Sequence, residues 1–164
     1  MPEVTWPAGY EPARAAVHVV NATQARAAPD RVWAWLVRPG RWPEYYVNAR
    51  RVRHRDGPWP DVAEGSRFAW WTFGIPVTSV VTECRPGERL AWTWTGPGAR
   101  GHHGFVLEAR AWGTLVHTEE TVQGMPTRAF GPVVRLVMHH FHQRWVEGLA
   151  ERALTAEEVR LSPW

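Results

Sequence analysis

Six short β-type segments follow one another through the middle of the chain, and most connections between them are only a few residues long. The segments lie at residues 49–55, 66–73, 77–84, 90–95, 104–112 and 114–122. The connections are rich in Gly and Pro, as in Gly96-Pro97-Gly98, and are typical of tight turns. Parallel pairing needs a crossover of a dozen or more residues. The pattern therefore predicts an antiparallel meander.

One long helix is predicted after this meander, from Pro132 to about Leu154. At about 100° per residue, five of its apolar side chains fall within an arc of about 80°. These are Val134, Met138, Phe141, Trp145 and Leu149. A stripe of this kind gives the helix one face to bury.

Shorter elements precede the meander. We expect a strand at residues 17–25, a helix that begins at Pro29 and a short helical segment at residues 41–46. A sheet must bury one face, and only the C-terminal helix is long enough to cover it. The order predicts an α+β fold in which a curved antiparallel sheet of six or seven strands wraps around that helix, with a cavity between them.

The length of 164 residues predicts one domain. We expect an irregular N-terminal arm at residues 1–15, the domain at residues 16–155 and a short tail at residues 156–164. The chain has a single cysteine, no secretory signal pattern and no membrane-spanning apolar stretch, so we expect a cytoplasmic protein that does not insert into membranes. All 19 basic residues are arginine, which indicates a high-GC, bacterial genome.

A basic run at residues 50–55 is the one feature that could suggest nucleic-acid binding. Its charged residues fit the solvated edge strand of a sheet better, and the formal net charge is only +3. We therefore predict no nucleic-acid partner. A homodimer remains open.

The chain has 12 Trp, 5 Phe and 3 Tyr residues, which is more aromatic surface than a core of this size needs. The surplus predicts an aromatic cavity for a flat apolar molecule. The alternative is that several tryptophans lie on an exposed sheet face or in an oligomer interface. The residues predicted to bind the ligand are Phe68, Trp70, Trp92 and Trp94 from the strands and Met138, Phe141 and Trp145 from the helix.

His142 is the first candidate catalytic residue. It lies about 20° beyond Leu149 at the edge of the apolar stripe, where its ring can reach the cavity. Histidine is the usual acid or base near neutral pH, although a hydrogen-bonded packing role is the alternative.

Arg67 and His117 are the other two candidates. Arg67 begins an aromatic strand and could hold a developing oxyanion, or it could be a charge at the rim of the cavity. His117, like its neighbours Glu119 and Glu120, could act as an acid or base if its face of the strand points inward. The alternative is a set of ion pairs on the solvated face.

No metal site and no cofactor are predicted. A site from His139, His142 and the pair His102-His103, which we expect in a loop, lacks a carboxylate or thiol ligand at convincing spacing. The chain also lacks the glycine-rich fingerprints of nucleotide-binding proteins.

Six ordered stretches resemble the START-like superfamily, also called SRPBCC, which includes the Bet v 1-like and polyketide cyclase/dehydrase proteins. They are APDRVW at 28–33, WPE at 42–44, EGSR at 64–67, PGERLAW at 86–92, GTLVHTEE at 113–120 and the closing helix around 145–151. The resemblance covers about residues 16–154 and implies a helix-grip fold with a deep hydrophobic cavity. It implies no single activity, because the superfamily includes cyclases, dehydratases, carriers and receptors.

From the residues and the resemblance together, we expect a biosynthetic enzyme. It would bind a hydrophobic, aromatic or polyketide-like molecule and catalyse its cyclisation, aromatisation or dehydration. Two alternatives remain open: a non-catalytic carrier of a small molecule or lipid, and a co-chaperone-like interaction module.

Overall fold

The computed structural model describes residues 3–161, with the side chains of residues 3–125 and 127–155. The strands are β1 (Val17–Ala25), β2 (Arg50–Asp56), β3 (Arg67–Thr72), β4 (Ile75–Arg85), β5 (Arg89–Gly96), β6 (Ala99–Arg110) and β7 (Gly113–Gly124). The α-helices are α1 (Pro29–Leu36) and α2 (Met125–Leu161), and 3-10 helices lie at Pro12–Arg14 and Pro39–Glu44. No helix in this part of the chain is long and apolar enough to cross a membrane.

The strands form one seven-stranded sheet in the order β1-β7-β6-β5-β4-β3-β2. Strands β2 to β7 are consecutive antiparallel neighbours, and β1 returns to pair antiparallel with β7, with Val17 opposite Val122. The sheet is packed against α2, which confirms the predicted α+β helix-grip fold.

Helix α2 is longer than the sequence predicted. It starts at Met125 and has a non-helical residue, Phe130 (φ −125°, ψ 24°), two positions before Pro132. Proline lacks the N–H that an inner helical turn uses, and its ring crowds the carbonyl four residues earlier. The predicted start at Pro132 therefore marks only the second segment of the helix.

The helix also continues to Leu161, past the predicted end at about residue 154. Residues 156–161 of the predicted tail are accordingly helical. Residues 1–2 of the predicted arm and 162–164 of the predicted tail lie outside the described residues.

The pair His102-His103 lies inside strand β6, so the predicted loop position was wrong. Gly101 and Gly104, on either side of the pair, lie where other groups approach the strand closely. A Cβ on Gly101 would lie 2.6 Å from the Trp94 ring, and a Cβ on Gly104 would lie 2.4 Å from Val4 Cγ1. Because side chains alternate along a strand, His102 and His103 point to opposite faces of the sheet.

The core is built from aromatic rings between the sheet and α2. Trp42, from the second 3-10 helix, has its ring centroid 4.9 Å from that of Trp92, 5.2 Å from that of Trp145 and 5.5 Å from that of Phe68. Its indole N–H donates to the Leu36 carbonyl at 2.9 Å. Part of the tryptophan surplus therefore fills the core.

The predicted apolar stripe of α2 faces this core. Met138, Trp145 and Leu149 are buried, and Val134 and Phe141 are partly buried and pack against the same cluster.

The N-terminal arm covers the opposite face of the sheet. Val4 packs on Gly104, and the Trp6 ring contacts the His102 ring with centroids 5.4 Å apart. The Thr121 hydroxyl donates to the Tyr10 carbonyl at 2.8 Å. On this face, the arm therefore packs on residues of β6 and β7.

Candidate active site

A cavity of about 340 Å³ lies between the sheet and the first half of α2. This volume is near the lower end of the range of roughly 300–1,000 Å³ for small-molecule sites. The wall is mostly apolar, but it includes three ionisable residues: His103, Glu120 and His142. The other lining residues are Trp70, Thr72, Phe73, Ile75, Trp94, Pro97, Ala99, Val122, Thr127, Val133, Val134, Val137, Met138 and Trp145. Val133 and Val137 line the cavity and are 63% and 39% exposed, so they mark its opening.

The three ionisable residues form a buried cluster, called here the His–Glu–His cluster. Glu120 Oε2 lies 3.1 Å from His103 Nδ1 and 3.1 Å from His142 Nε2. The side chains come from three elements: β6, β7 and α2. His103 and Glu120 are direct partners in the β6–β7 ladder, so the strand register alone places them side by side on the cavity face.

Hydrogen bonds on the far side of the cluster fix the orientation of His103. The Thr118 hydroxyl donates its one proton to the Gly104 carbonyl at 2.8 Å. The same hydroxyl lies 2.8 Å from His103 Nε2, so it must accept there and His103 Nε2 must carry a hydrogen. In the neutral ring, Nδ1 then presents a lone pair to Glu120.

Trp94 holds the second oxygen of Glu120. Its indole N–H donates to Glu120 Oε1 at 2.6 Å, and the same indole forms part of the cavity wall. This tryptophan therefore both shapes the apolar pocket and fixes the carboxyl group inside it.

Burial controls the protonation of the cluster. It lowers the pKa of His103 to about 3 and that of His142 to about 3, because a charged ring is poorly solvated there. Burial also raises the pKa of Glu120, against the opposing effects of His142 and the Trp94 N–H. All three effects favour neutral rings and a protonated carboxyl group.

Of the predicted catalytic residues, only His142 lies in the cavity. Arg67 is exposed and does not line the cavity, because Phe68 takes the inward position at the start of β3. His117 is buried but lies on the sheet face opposite Glu120, where its Nε2 is 2.9 Å from Glu119 Oε1. Arg67 and His117, named as candidates on the condition that they reach the cavity, therefore lie outside it.

Four of the seven predicted ligand-binding residues line the cavity, and three do not. Trp70, Trp94, Met138 and Trp145 line the cavity. Phe68 and Trp92 are fully buried in the core, away from the lining. Phe141 packs edge-on against Phe73, with ring centroids 5.8 Å apart, and does not line the cavity.

Two residues of the cluster were not selected from the sequence. His103 was assigned to a loop, and Glu120 was named only as one of three acid or base candidates on β7. The signal that would have found them is the β6–β7 register, which pairs them directly. That register follows from the tight turn at Gly113, where the two strands are joined.

The sequence matches a known family over most of its length. The model of the family described as polyketide cyclase/dehydrase and lipid transport matches residues 16–158. The chain belongs to this family. The resemblance to the START-like, or SRPBCC, superfamily is thereby confirmed. A search of curated proteins gave no significant match.

Solved structures share the fold at low sequence identity. A hypothetical protein from Helicobacter pylori is 23% identical with a TM-score of 0.83, and the match covers 93% of this chain and 97% of that chain. A START superfamily protein from Mycobacterium smegmatis is 10% identical with a TM-score of 0.71, over 85% and 98% of the two chains. A putative protein of the dynemicin biosynthetic locus is 18% identical with a TM-score of 0.60, over 80% of this chain and 46% of that chain.

Proposed function

We propose that this protein binds a compact apolar molecule of the aromatic or polyketide type and catalyses its dehydration, cyclisation or aromatisation by proton transfer. The observation that carries the proposal is the His–Glu–His cluster in the wall of an otherwise apolar cavity. A cavity that served only as a container for an apolar molecule would not need three buried ionisable groups, because burying such groups costs free energy.

The cavity supports the binding half of the proposal. Its tryptophan and valine walls suit a flat molecule, and its volume of about 340 Å³ suits a few fused rings rather than a long lipid chain. The exposed valines at the opening give such a molecule an apolar path inward. The family description and the neighbour from the dynemicin locus are consistent with a ligand of this type.

The cluster supports the chemical half. Glu120 and His142 both line the cavity, with the carboxyl oxygen and ring nitrogen 3.1 Å apart. One group can take a proton from carbon while the other gives a proton to a departing hydroxyl group, and general acid–base catalysis needs such a pair. His103 and Trp94 hold the carboxyl group between them. We assign the acid role to Glu120 and the base role to His142.

A bicyclic β-hydroxyketone, 3-hydroxy-1-tetralone, tests the proposal directly. The base removes a proton from C2, the C3–O bond breaks as the acid protonates the hydroxyl group, and water leaves. Tautomerisation of the resulting enone then gives 1-naphthol, which chromatography separates from the substrate. The expected result is enzyme-dependent formation of 1-naphthol that saturates with substrate.

His142→Gln is the key variant, because glutamine keeps a hydrogen-bonding nitrogen near Glu120 but cannot carry the proton. We expect turnover to fall by about 10²–10⁴-fold. The matched control is His140→Gln, a change of the same type at an exposed position of α2 outside the cavity, which should retain wild-type turnover. Saturable binding of 1-naphthol with no dehydration by the wild type would refute the catalytic half and favour a carrier. Absence of saturable binding would refute both halves.

A further inference from the structure

The His–Glu–His cluster holds either a shared proton or a metal ion between His103 and Glu120. His103 Nε2 carries a hydrogen because it faces a hydroxyl that has already donated its own. The neutral ring therefore turns a lone pair toward Glu120 Oε2, which lies 3.1 Å away. Two lone pairs at this distance repel each other, so a proton or a metal ion must lie between the two atoms.

The three facing atoms are also well arranged for a metal ion. One ligand atom from each of His103, Glu120 and His142 lies within 4.8 Å of the other two. The two nitrogen–oxygen separations of 3.1 Å resemble those around zinc, where bonds of roughly 2.0–2.2 Å in a tetrahedron place neighbouring ligand atoms about 3.3 Å apart. Two imidazoles and one carboxylate form a donor set that divalent transition metals prefer.

The surroundings meet two further requirements of a metal site. The hydrogen bond to Thr118 fixes the His103 tautomer with its Nδ1 lone pair free, as a metal ligand requires. His142 Nδ1 is buried and has no hydrogen-bond partner among the described residues, so the ring proton can lie there and leave Nε2 free.

We propose that His103, Glu120 and His142 bind one divalent transition-metal ion of the zinc class, through Nδ1, Oε2 and Nε2 respectively. Three protein ligands leave a fourth tetrahedral position open, and all three residues line the cavity. The open position therefore faces the space where a ligand oxygen would lie. This inference goes beyond the proposed function and does not depend on it, because metal binding is measured without any organic ligand. A bound metal ion would occupy Glu120 Oε2 and His142 Nε2, so the acid and base roles assigned to these two groups above belong to the metal-free protein.

Cobalt(II) titration tests the site. Untagged protein is dialysed against a chelator, freed of it and titrated with Co²⁺, whose visible absorption reports coordination number and ligand type. We expect one Co²⁺ per chain with the intense bands of four- or five-coordinate cobalt, and displacement of the cobalt by Zn²⁺. Glu120→Gln and His142→Gln should each weaken binding by at least about tenfold, because even changes next to metal ligands cost roughly 10–100-fold. The matched control His140→Gln should bind as the wild type does.

Crystals of the wild-type protein soaked in Co²⁺ give a measurement that does not depend on how the variants fold. An anomalous peak between His103, Glu120 and His142 supports the proposal. A peak only at other residues, or no tight stoichiometric binding, overturns it and leaves a shared proton as the occupant of the cluster. Binding of 1-naphthol to the chelator-treated protein tests the ligand-binding half of the proposed function separately. The metal site and the ligand-binding proposal can therefore fail independently of each other.

Discussion

Trp145→Ala is the substitution that the structure predicts most fully. Trp145 is 1% exposed, and its ring stacks on Tyr46 with centroids 4.1 Å apart and meets Trp42 and Phe105 edge-on at 5.2 and 5.3 Å. Truncation of a fully packed Trp to Ala costs about 3–5 kcal/mol. One side of this indole already faces the cavity, so less packing is lost there. We expect the free energy of unfolding to fall by about 3–4 kcal/mol.

Urea denaturation followed by circular dichroism measures this loss. For a chain of this size the corresponding fall in Tm is about 6–16 °C. Trp112→Ala is the matched control, because Trp112 is 42% exposed and should change the stability by no more than about 0.5 kcal/mol. A loss below about 1 kcal/mol for Trp145→Ala, or equal losses for the two variants, would refute the placement of Trp145 at the centre of the core.

Two further substitutions test the contacts around the cluster and the arm. Trp94→Phe removes the N–H that donates to Glu120 Oε1. Because that buried oxygen loses its donor, the free energy of unfolding measured in urea should fall by about 1–3 kcal/mol. An unchanged free energy of unfolding would contradict the contact. Gly104→Ala places a Cβ 2.4 Å from Val4 Cγ1 and should cost about 1–3 kcal/mol. Adding Val4→Ala should recover part of that loss in a double-mutant cycle, whereas strictly additive effects would show that the arm does not rest on Gly104.

The fold could be predicted because its signals are local. Turn residues separate the strands, and the α2 stripe repeats with helical spacing, so both can be recognised in short windows of sequence. The break before Pro132 could not be placed, because a proline near the start of a helix fits either a first turn or an interruption. Helix α2 uses it as an interruption, with Phe130 as the non-helical residue.

The site was harder to predict, because it depends on which residues face each other across the sheet. His142 could be selected from helical geometry alone, since it flanks the buried stripe. Glu120 and His117 could not be distinguished, because alternation gives two faces without saying which is covered by the helix. The pairing of His103 with Glu120 also required the exact strand register, because a shift of one residue between β6 and β7 would put the two side chains on opposite faces of the sheet.

The aromatic surplus was informative but ambiguous. Trp70, Trp94 and Trp145 line the cavity, as the composition suggested, while Trp42 and Trp92 are fully buried in the core. An indole suits both places, because its large apolar area favours burial and its N–H can bind a polar partner. Composition alone therefore predicts aromatic packing, but it does not distinguish tryptophans that line the cavity from tryptophans that fill the core.

A crystal structure of the protein with 1-naphthol bound shows whether an apolar ring system lies in the cavity with its oxygen at the His–Glu–His cluster. We predict electron density for the naphthalene rings between Trp70, Trp94 and α2, with the hydroxyl oxygen within hydrogen-bonding distance of Glu120 or His142. Naphthol bound only outside the cavity, or bound with its hydroxyl group turned away from both residues, would contradict this placement of the ligand.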